Sequence, residues 1–162
     1  MSVFKSQFSR ALKVIPSDNA NIPNPFVITT GTNTSTTANQ LINSAAFFVT
    51  KNVAVGDVVY NTTDSTAATV VLVIDETTIV LNADIFTATG KAYVIYQNSS
   101  QTGLPNQGCN LYIGGAGAAT VTTIGNDIVT FSGLLAGTVL PVQVNKVANS
   151  GDTTATNIIA LW

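Results

Sequence analysis

The chain of 162 residues is long enough for one domain or two small ones, each with its own hydrophobic core. Only 9 % of the residues are charged, and the net charge of −2 excludes the dense basic face that nucleic-acid binding requires. The sequence has no histidine and a single cysteine, Cys109, which excludes an internal disulfide and a cysteine–histidine nucleophile.

The composition favours a protein whose surface is covered by neighbours. Hydrophobic residues make up 46 % of the chain, so the low charge does not indicate disorder. Threonine is the most frequent residue type, and its branched, polar side chain suits strands with one face in water. Residues 19–50 and 92–126 carry no charge at all, whereas a free-standing protein normally keeps a charged surface. We therefore expect a component of an assembly, with a secreted threonine-rich β domain as the alternative.

The first 16 residues contain no continuous apolar stretch of signal-peptide length, and no segment approaches the length of a membrane span. This pattern predicts synthesis in a cytoplasm and no membrane partner.

Residues 1–16 are predicted to form an N-terminal arm. Three apolar side chains in it fall four positions apart, which is the spacing of one helical face, and three basic residues lie elsewhere around the turn. The arm either lies across the protein's own core or docks onto an acidic or apolar groove of a partner. The predicted partner contacts are Phe4, Lys5, Phe8, Arg10, Leu12 and Lys13.

Residues 17–25 are rich in proline and asparagine and read as a turn segment that belongs to the C-terminal module. Residues 26–97 contain short β-branched runs between turn residues, which is typical of a small barrel or sandwich, and we expect an inserted barrel-like module there. Residues 98–108 are predicted to be a linker. The strands expected in the inserted module are Phe26–Thr30, Val58–Tyr60, Thr69–Ile74, Thr77–Leu81 and Tyr93–Tyr96.

Residues 109–162 are predicted to form a sandwich-like module of short strands. The first run is expected to be stopped by Gly114, Gly115 and Gly117. The pair Gly125–Asn126 is expected to supply the positive φ angles of a two-residue hairpin. The strands expected here are Asn110–Ile113, Thr120–Ile124, Asp127–Phe131, Leu140–Val147 and Thr156–Leu161.

No pattern in the sequence indicates a catalytic, cofactor or metal site. The eight acidic residues lie mostly in turn-like contexts, where aspartate is favoured for backbone reasons. The run Gly114–Gly117 lacks the spacing and the lysine of nucleotide-binding loops, so it reads as a glycine-rich turn. Cys109 stands next to apolar positions and is expected to be a buried, unreactive thiol. We expect a protein that is not an enzyme, with a paired-carboxylate glycosidase as the remote alternative.

The C-terminal module contains, from Leu111 onward, the segments LYIGGAG, VTT, VTFSG, AGTVLPVQVNKV and TTATNIIAL. Together they resemble a module of small virion structural proteins of tailed phages, and in particular the head spike base and capsid decoration family of phages and gene transfer agents. The resemblance covers residues 16–23 and 109–161, and residues 26–108 are carried between the matching pieces. Within them, VGDVVYNTTD at residues 55–64 is similar to modules of marine and cyanobacterial phage structural proteins.

The resemblance implies a non-enzymatic structural protein on the surface of a virion head. Its partners would be the major capsid protein and further copies of itself, as a trimer or pentamer, and it would be made in the cytoplasm of a host bacterium. It would decorate or cement the capsid, or form the base of a vertex spike. The alternatives are a tail or baseplate component and a binding module for host receptors or glycans. The fold expected is all-β, with an N-terminal arm and two small β lobes, one inserted into the other.

Overall fold

The computed structural model describes residues 8–98 and 108–162, and it confirms the all-β prediction, since these residues form strands and no helix. In this part of the chain there is accordingly no helix long and apolar enough to cross a bilayer. The strands in chain order are β1 (Ala11–Lys13), β2 (Val27–Thr32), β3 (Gln40–Ile42), β4 (Val58–Asn61), β5 (Thr66–Val73), β6 (Thr78–Leu81), β7 (Ala92–Tyr96), β8 (Cys109–Gly115), β9 (Gly117–Thr123), β10 (Ile128–Leu134), β11 (Val139–Val147) and β12 (Thr156–Leu161).

The C-terminal module is one antiparallel sheet with the strand order β1-β12-β8-β11-β9-β10. Its long strand β11 pairs with β8 through its first half and with β9 through its second half, with register shifts between Leu140 and Lys146. Such irregularities bend a strand, and the bend lets one face of the sheet enclose a core. The fully buried side chains of that core include Leu111, Val121 and Ile158.

Residues that precede the inserted module are built into the C-terminal sheet. Strand β1 pairs with β12, and the backbone N–H of Val14 donates to the carbonyl of Ile158. The N–H of Ile22 donates to the carbonyl of Asn145, and the side chains of Val14 and Ile22 belong to the C-terminal core. The predicted domain boundaries stay predictions, and most of the predicted linker, residues 99–107, lies outside the described residues.

The inserted module is a second antiparallel sheet with the order β2-β7-β4-β5-β6-β3. Its edge strands β2 and β3 do not pair with each other, and the sheet is not closed into the barrel expected from the sequence. An isolated bridge joins Ile42 of β3 to Ser35, which lies in the loop after β2. Just after β2, the side-chain oxygen of Asn33 accepts from the N–H of Lys91 at 2.7 Å, which ties this loop to the segment before β7.

The two modules share a small apolar cluster. Val58, Tyr60 and Ala67 of the inserted sheet are buried against Ala20 of the preceding segment. The hydroxyl of Ser17, itself buried, donates to the carbonyl of Ala67 at 2.9 Å. The modules are therefore held together by packed side chains and a buried hydrogen bond as well as by the chain.

Two local predictions for the C-terminal module are wrong. Strand β8 does not end at Ile113 but includes Gly114 and Gly115, because Thr156 of β12 pairs with Gly115. The hairpin between β9 and β10 is longer than two residues, and in it Asn126 has the positive φ of 68° while Gly125 does not. The N–H of Asn126 donates to the carbonyl of Thr123, which closes a wider turn.

Candidate interaction surfaces

The described part of the arm is not helical, although its apolar residues have helical spacing. Phe4 and Lys5 lie outside the described residues, and Ala11–Lys13 form strand β1 rather than a helical turn. The backbone of the arm instead pairs with β12. The carbonyl of Trp162 accepts hydrogen bonds from the N–H groups of Ser9 and Arg10. Pairing with a distant strand has overridden a local pattern that is too short to form a stable helix alone.

The remaining arm residues separate into packed and exposed side chains. Leu12 is half-buried against the cluster between the modules, so it is committed to packing inside the protein. The guanidinium of Arg10 lies 3.6 Å from the centre of the Phe26 ring, a cation–π contact that fixes the side chain at the surface. Phe8 and Lys13 are exposed, so both are accessible to a partner.

Among the described residues, strand β10 is one of the two edge strands of the C-terminal sheet, opposite β1, and the sequence did not single it out as functional. Five of the seven residues of β10 are exposed, including Ile128 at 76 % and Val129 at 39 %. Ile128–Leu134 reads IVTFSGL and carries no charge. Proteins commonly protect edge strands with lysine, proline, very short strands or β-bulges. Strand β10 has none of the first three, and its one register irregularity lies between Phe131 and Leu134, after the regularly paired residues 128–131. The sequence shows that this run is uncharged and rich in β-strand-forming residues, but it does not show that the strand lies at the edge of the sheet.

The outer face of β9 and β10 borders a shallow groove of about 390 Å³. Thr120 and Thr130 face it from neighbouring strands, and their hydroxyls lie 2.9 Å apart. Asp18 closes the far side and accepts from the N–H groups of Asn149 and Ser150 at 3.0–3.2 Å. Slight desolvation raises the pKa of Asp18, but these hydrogen bonds outweigh it, and the pKa lies below its usual 3.8. The lining of the groove combines hydroxyl side chains with the apolar Ile128 and the charged Asp18, Lys146 and Asp152.

The inserted module also carries exposed apolar side chains, a set that we call the apolar tip. Phe47 is 56 % exposed and has a φ of 59°, a backbone conformation that bulky residues rarely adopt. Its loop is tied to the turn after β5, since the N–H and hydroxyl of Thr50 both donate to the carboxylate of Glu76. The exposed side chains of the apolar tip are Phe47, Val49, Val55, Val71, Leu72 and Ile74.

Cys109 is buried, as predicted, at 3 % exposure, and its sulfur lies 3.5 Å from the carbonyl of Val144. Burial raises the pKa of the thiol from 9.0 to about 12. Three pKa units lower the thiolate fraction by about 10³ at neutral pH, and the thiolate is the reactive form.

We expect Cys109 to react with a disulfide reagent at pH 8 at least about 100-fold more slowly in the folded protein than in urea. The rate of labelling followed by absorbance measures this difference. Because the unfolded thiol ionises at a lower pH than the folded one, folding stability should also fall as the pH rises above 9.0. Native and unfolded protein reacting at the same rate would contradict the buried position.

Among residues 8–98 and 108–162, no group of histidine, cysteine, aspartate or glutamate side chains could hold a metal ion. The described surface offers another molecule exposed apolar side chains, hydroxyls, strand backbone and a few scattered charges. No protein-family model matches the chain, and comparisons with curated proteins and with solved structures find no match.

Proposed function

We propose that the chain is a non-enzymatic structural protein of a phage virion, which binds the outside of the head as a decoration, cement or spike base protein. The proposal starts from the resemblance of the C-terminal segments to the head spike base and capsid decoration family. Its partners would be the major capsid protein and further copies of the chain, in trimers or pentamers.

The observation that supports an assembly role is the uncharged, exposed edge strand β10. A stable interface buries roughly 1,600 Å² in total, and a buried charge weakens such an interface unless it is paired. A surface of threonine hydroxyls and apolar side chains loses little hydration free energy when it is covered, because few charges leave water. A surface with few charges therefore suits a protein of which many copies must bind to a capsid lattice.

A decoration protein strengthens a capsid lattice because it adds interface area between neighbouring capsomers. A subunit that contacts two neighbouring capsomers must be released from at least one of them before they separate. The two modules pack against each other and each carries exposed apolar side chains, which gives the protein two places for such contacts. We assign the contact with the capsid protein to the N-terminal arm, with Phe8, Arg10 and Lys13 as its described part.

Deleting residues 2–7 should leave a folded protein that binds heads at least about tenfold more weakly. The longer deletion of residues 2–14 is unsuitable, because it removes β1 and the buried Val14. Asp84→Asn, a substitution at an exposed position outside the arm and outside the apolar tip, is the matched comparison and should keep head binding.

Co-sedimentation with purified heads that lack the protein measures this binding, and circular dichroism reports the fold. Full binding by the deletion variant would contradict the role of the arm. Binding to isolated tails in place of heads would contradict the proposed location and favour a tail component.

A further inference from the structure

We propose that β10 pairs with β10 of a second copy of this chain, antiparallel and about a two-fold axis that passes beside Thr130. The pairing would join two C-terminal sheets into one continuous sheet of twelve strands. The proposal rests on the self-association part of the proposed function and not on the location in a virion.

The backbone of Thr130 offers its hydrogen-bonding groups to the free edge. In an antiparallel pair, residues alternate between positions that bond to the neighbouring strand and positions that face away from it. The N–H of Thr123 donates to the carbonyl of Asp127, which fixes the phase of this alternation. Over the regularly paired residues 128–131, counting in steps of two from Asp127 gives Val129 and Phe131 as the positions whose backbone groups bond to β9, whereas those of Ile128 and Thr130 face the edge.

The bonds of Thr120, the residue opposite Thr130, agree with this phase. Its N–H donates to the hydroxyl of Thr153, and its carbonyl accepts from the N–H of Ala148. Both groups thus point away from β10, so Thr130 is a position that does not bond to β9. The N–H and carbonyl of Thr130 are consequently directed to the edge where a further strand would pair.

A register centred on Thr130 is self-complementary in its side chains. Val129 would stand opposite the partner's Phe131, and both lie on the core face of the sheet, because their neighbours on β9 are the buried Val121 and Ala119. Thr130 would stand opposite the partner's Thr130 on the outer face, and threonine pairs are favourable across antiparallel strands. The pairing would extend the apolar core face of each sheet over Val129, which a single copy leaves 39 % exposed.

The charge pattern favours a second copy over a different partner. A two-fold contact places each residue against its own counterpart or a near neighbour, so any charge in the strand would meet a like charge. Ile128–Leu134 carries no charge, and Asp127 just before it would stand near the partner's Gly133. Of the four edge strands, β10 is the longest, with seven residues against three, six and three for β1, β2 and β3.

A contact of this kind yields dimers rather than the trimers or pentamers proposed above, so larger assemblies would need a further surface. A single strand pair is smaller than a standard interface, and we therefore expect a dissociation constant in the micromolar range.

The test places charges on the proposed axis. In Thr130→Lys and in Thr130→Glu, like charges would face each other directly, and each variant alone should weaken dimerisation at least about tenfold. An equimolar mixture of the two variants should restore the dimer as a heterodimer, since the opposite charges then meet. Thr130→Val keeps the backbone groups and the β-branched shape, and it should stay dimeric. Sedimentation equilibrium of the full chain at about 100 µM measures each state.

Three outcomes would overturn the proposal: a monomeric wild type, a dimer that withstands both charged variants, or charged variants that do not associate when mixed. Amide hydrogen exchange of the wild type provides a test that needs no substitution. The amides of Ile128 and Thr130 should become less protected on dilution, in step with dissociation. Protection that does not change on dilution would mean that the chain covers this edge itself, which would contradict the proposal.

Discussion

Replacing Gly117 with alanine is expected to lower the free energy of unfolding by about 3–5 kcal/mol, the range of severe single substitutions. Gly117 joins β8 to β9 where the chain passes against the segment before β12. A Cβ atom there would lie 2.5 Å from the backbone nitrogen of Ala155 and 2.6 Å from the carbonyl carbon of Thr154. Backbone atoms cannot turn aside as a flexible side chain can, so the two strands would have to separate.

Gly125→Ala is the matched control for this substitution. Its Cβ would meet only side-chain oxygens, with Asp127 nearest at 3.3 Å, and Gly125 has no positive φ. We expect a change within about 1 kcal/mol in urea-induced unfolding, as is usual for surface positions. Equal stability losses in the two variants would show that the crossing at Gly117 is not tightly packed.

Replacing Asn61 with alanine is expected to cost about 2–4 kcal/mol of stability, because a fully buried side chain would lose four hydrogen bonds at once, one of them to the buried carbonyl of Ile85. Asn61 is fully buried at the end of β4. Its side-chain nitrogen donates to the carbonyl of Ile85 at 2.7 Å and to the carboxylate of Asp64 at 2.9 Å. Its side-chain oxygen accepts from the N–H groups of Thr63 and Asp64, both at 3.0 Å.

This amide fixes the turn between β4 and β5 and ties it to the loop before β7. Asn149→Ala is the comparison, since that side chain is exposed, and it should change stability by less than about 0.5 kcal/mol. Thermal unfolding of both variants, together with the wild type, measures the difference. A loss below about 1 kcal/mol for Asn61→Ala would mean that water replaces the lost bonds.

The sequence predicts the strands well where one face is buried and the pattern alternates. In β7, Tyr93 and Ile95 are buried while Val94 and Tyr96 are less so, as the alternation indicates. The period of two follows from the strand backbone alone, so it can be read without knowledge of the neighbours.

The sequence could not show which strands pair, because pairing depends on residues far apart in the chain. Strand β1 forms on β12, about 150 positions later, and this pairing replaces the helical spacing expected for the arm. Strand β8 continues through Gly114 and Gly115 because β12 supplies a partner there. The inserted module was expected to be barrel-like, but its sheet is open. Whether a sheet closes depends on the pairing of its two edge strands, which local sequence patterns do not show.

The candidate surfaces illustrate the same limit. The sequence predicts a strand over Asp127–Phe131, and the structure contains β10 there, but only the strand order shows that it is an edge. The apolar tip depends on Phe47, in a segment whose hydrophobic pattern fits neither a helix nor a strand. Its exposed ring follows from a left-handed backbone conformation that phenylalanine does not favour.

The most direct test of the proposed virion role is mass spectrometry of purified particles after heads and tails have been separated on a density gradient. We predict that the chain is enriched with the major capsid protein in the head fraction. A ratio of one copy to every one or few capsid proteins would indicate a lattice-wide cement, and a few copies per vertex would indicate a spike base. Enrichment in the tail fraction would contradict the head location, and absence from both fractions would contradict the virion role altogether.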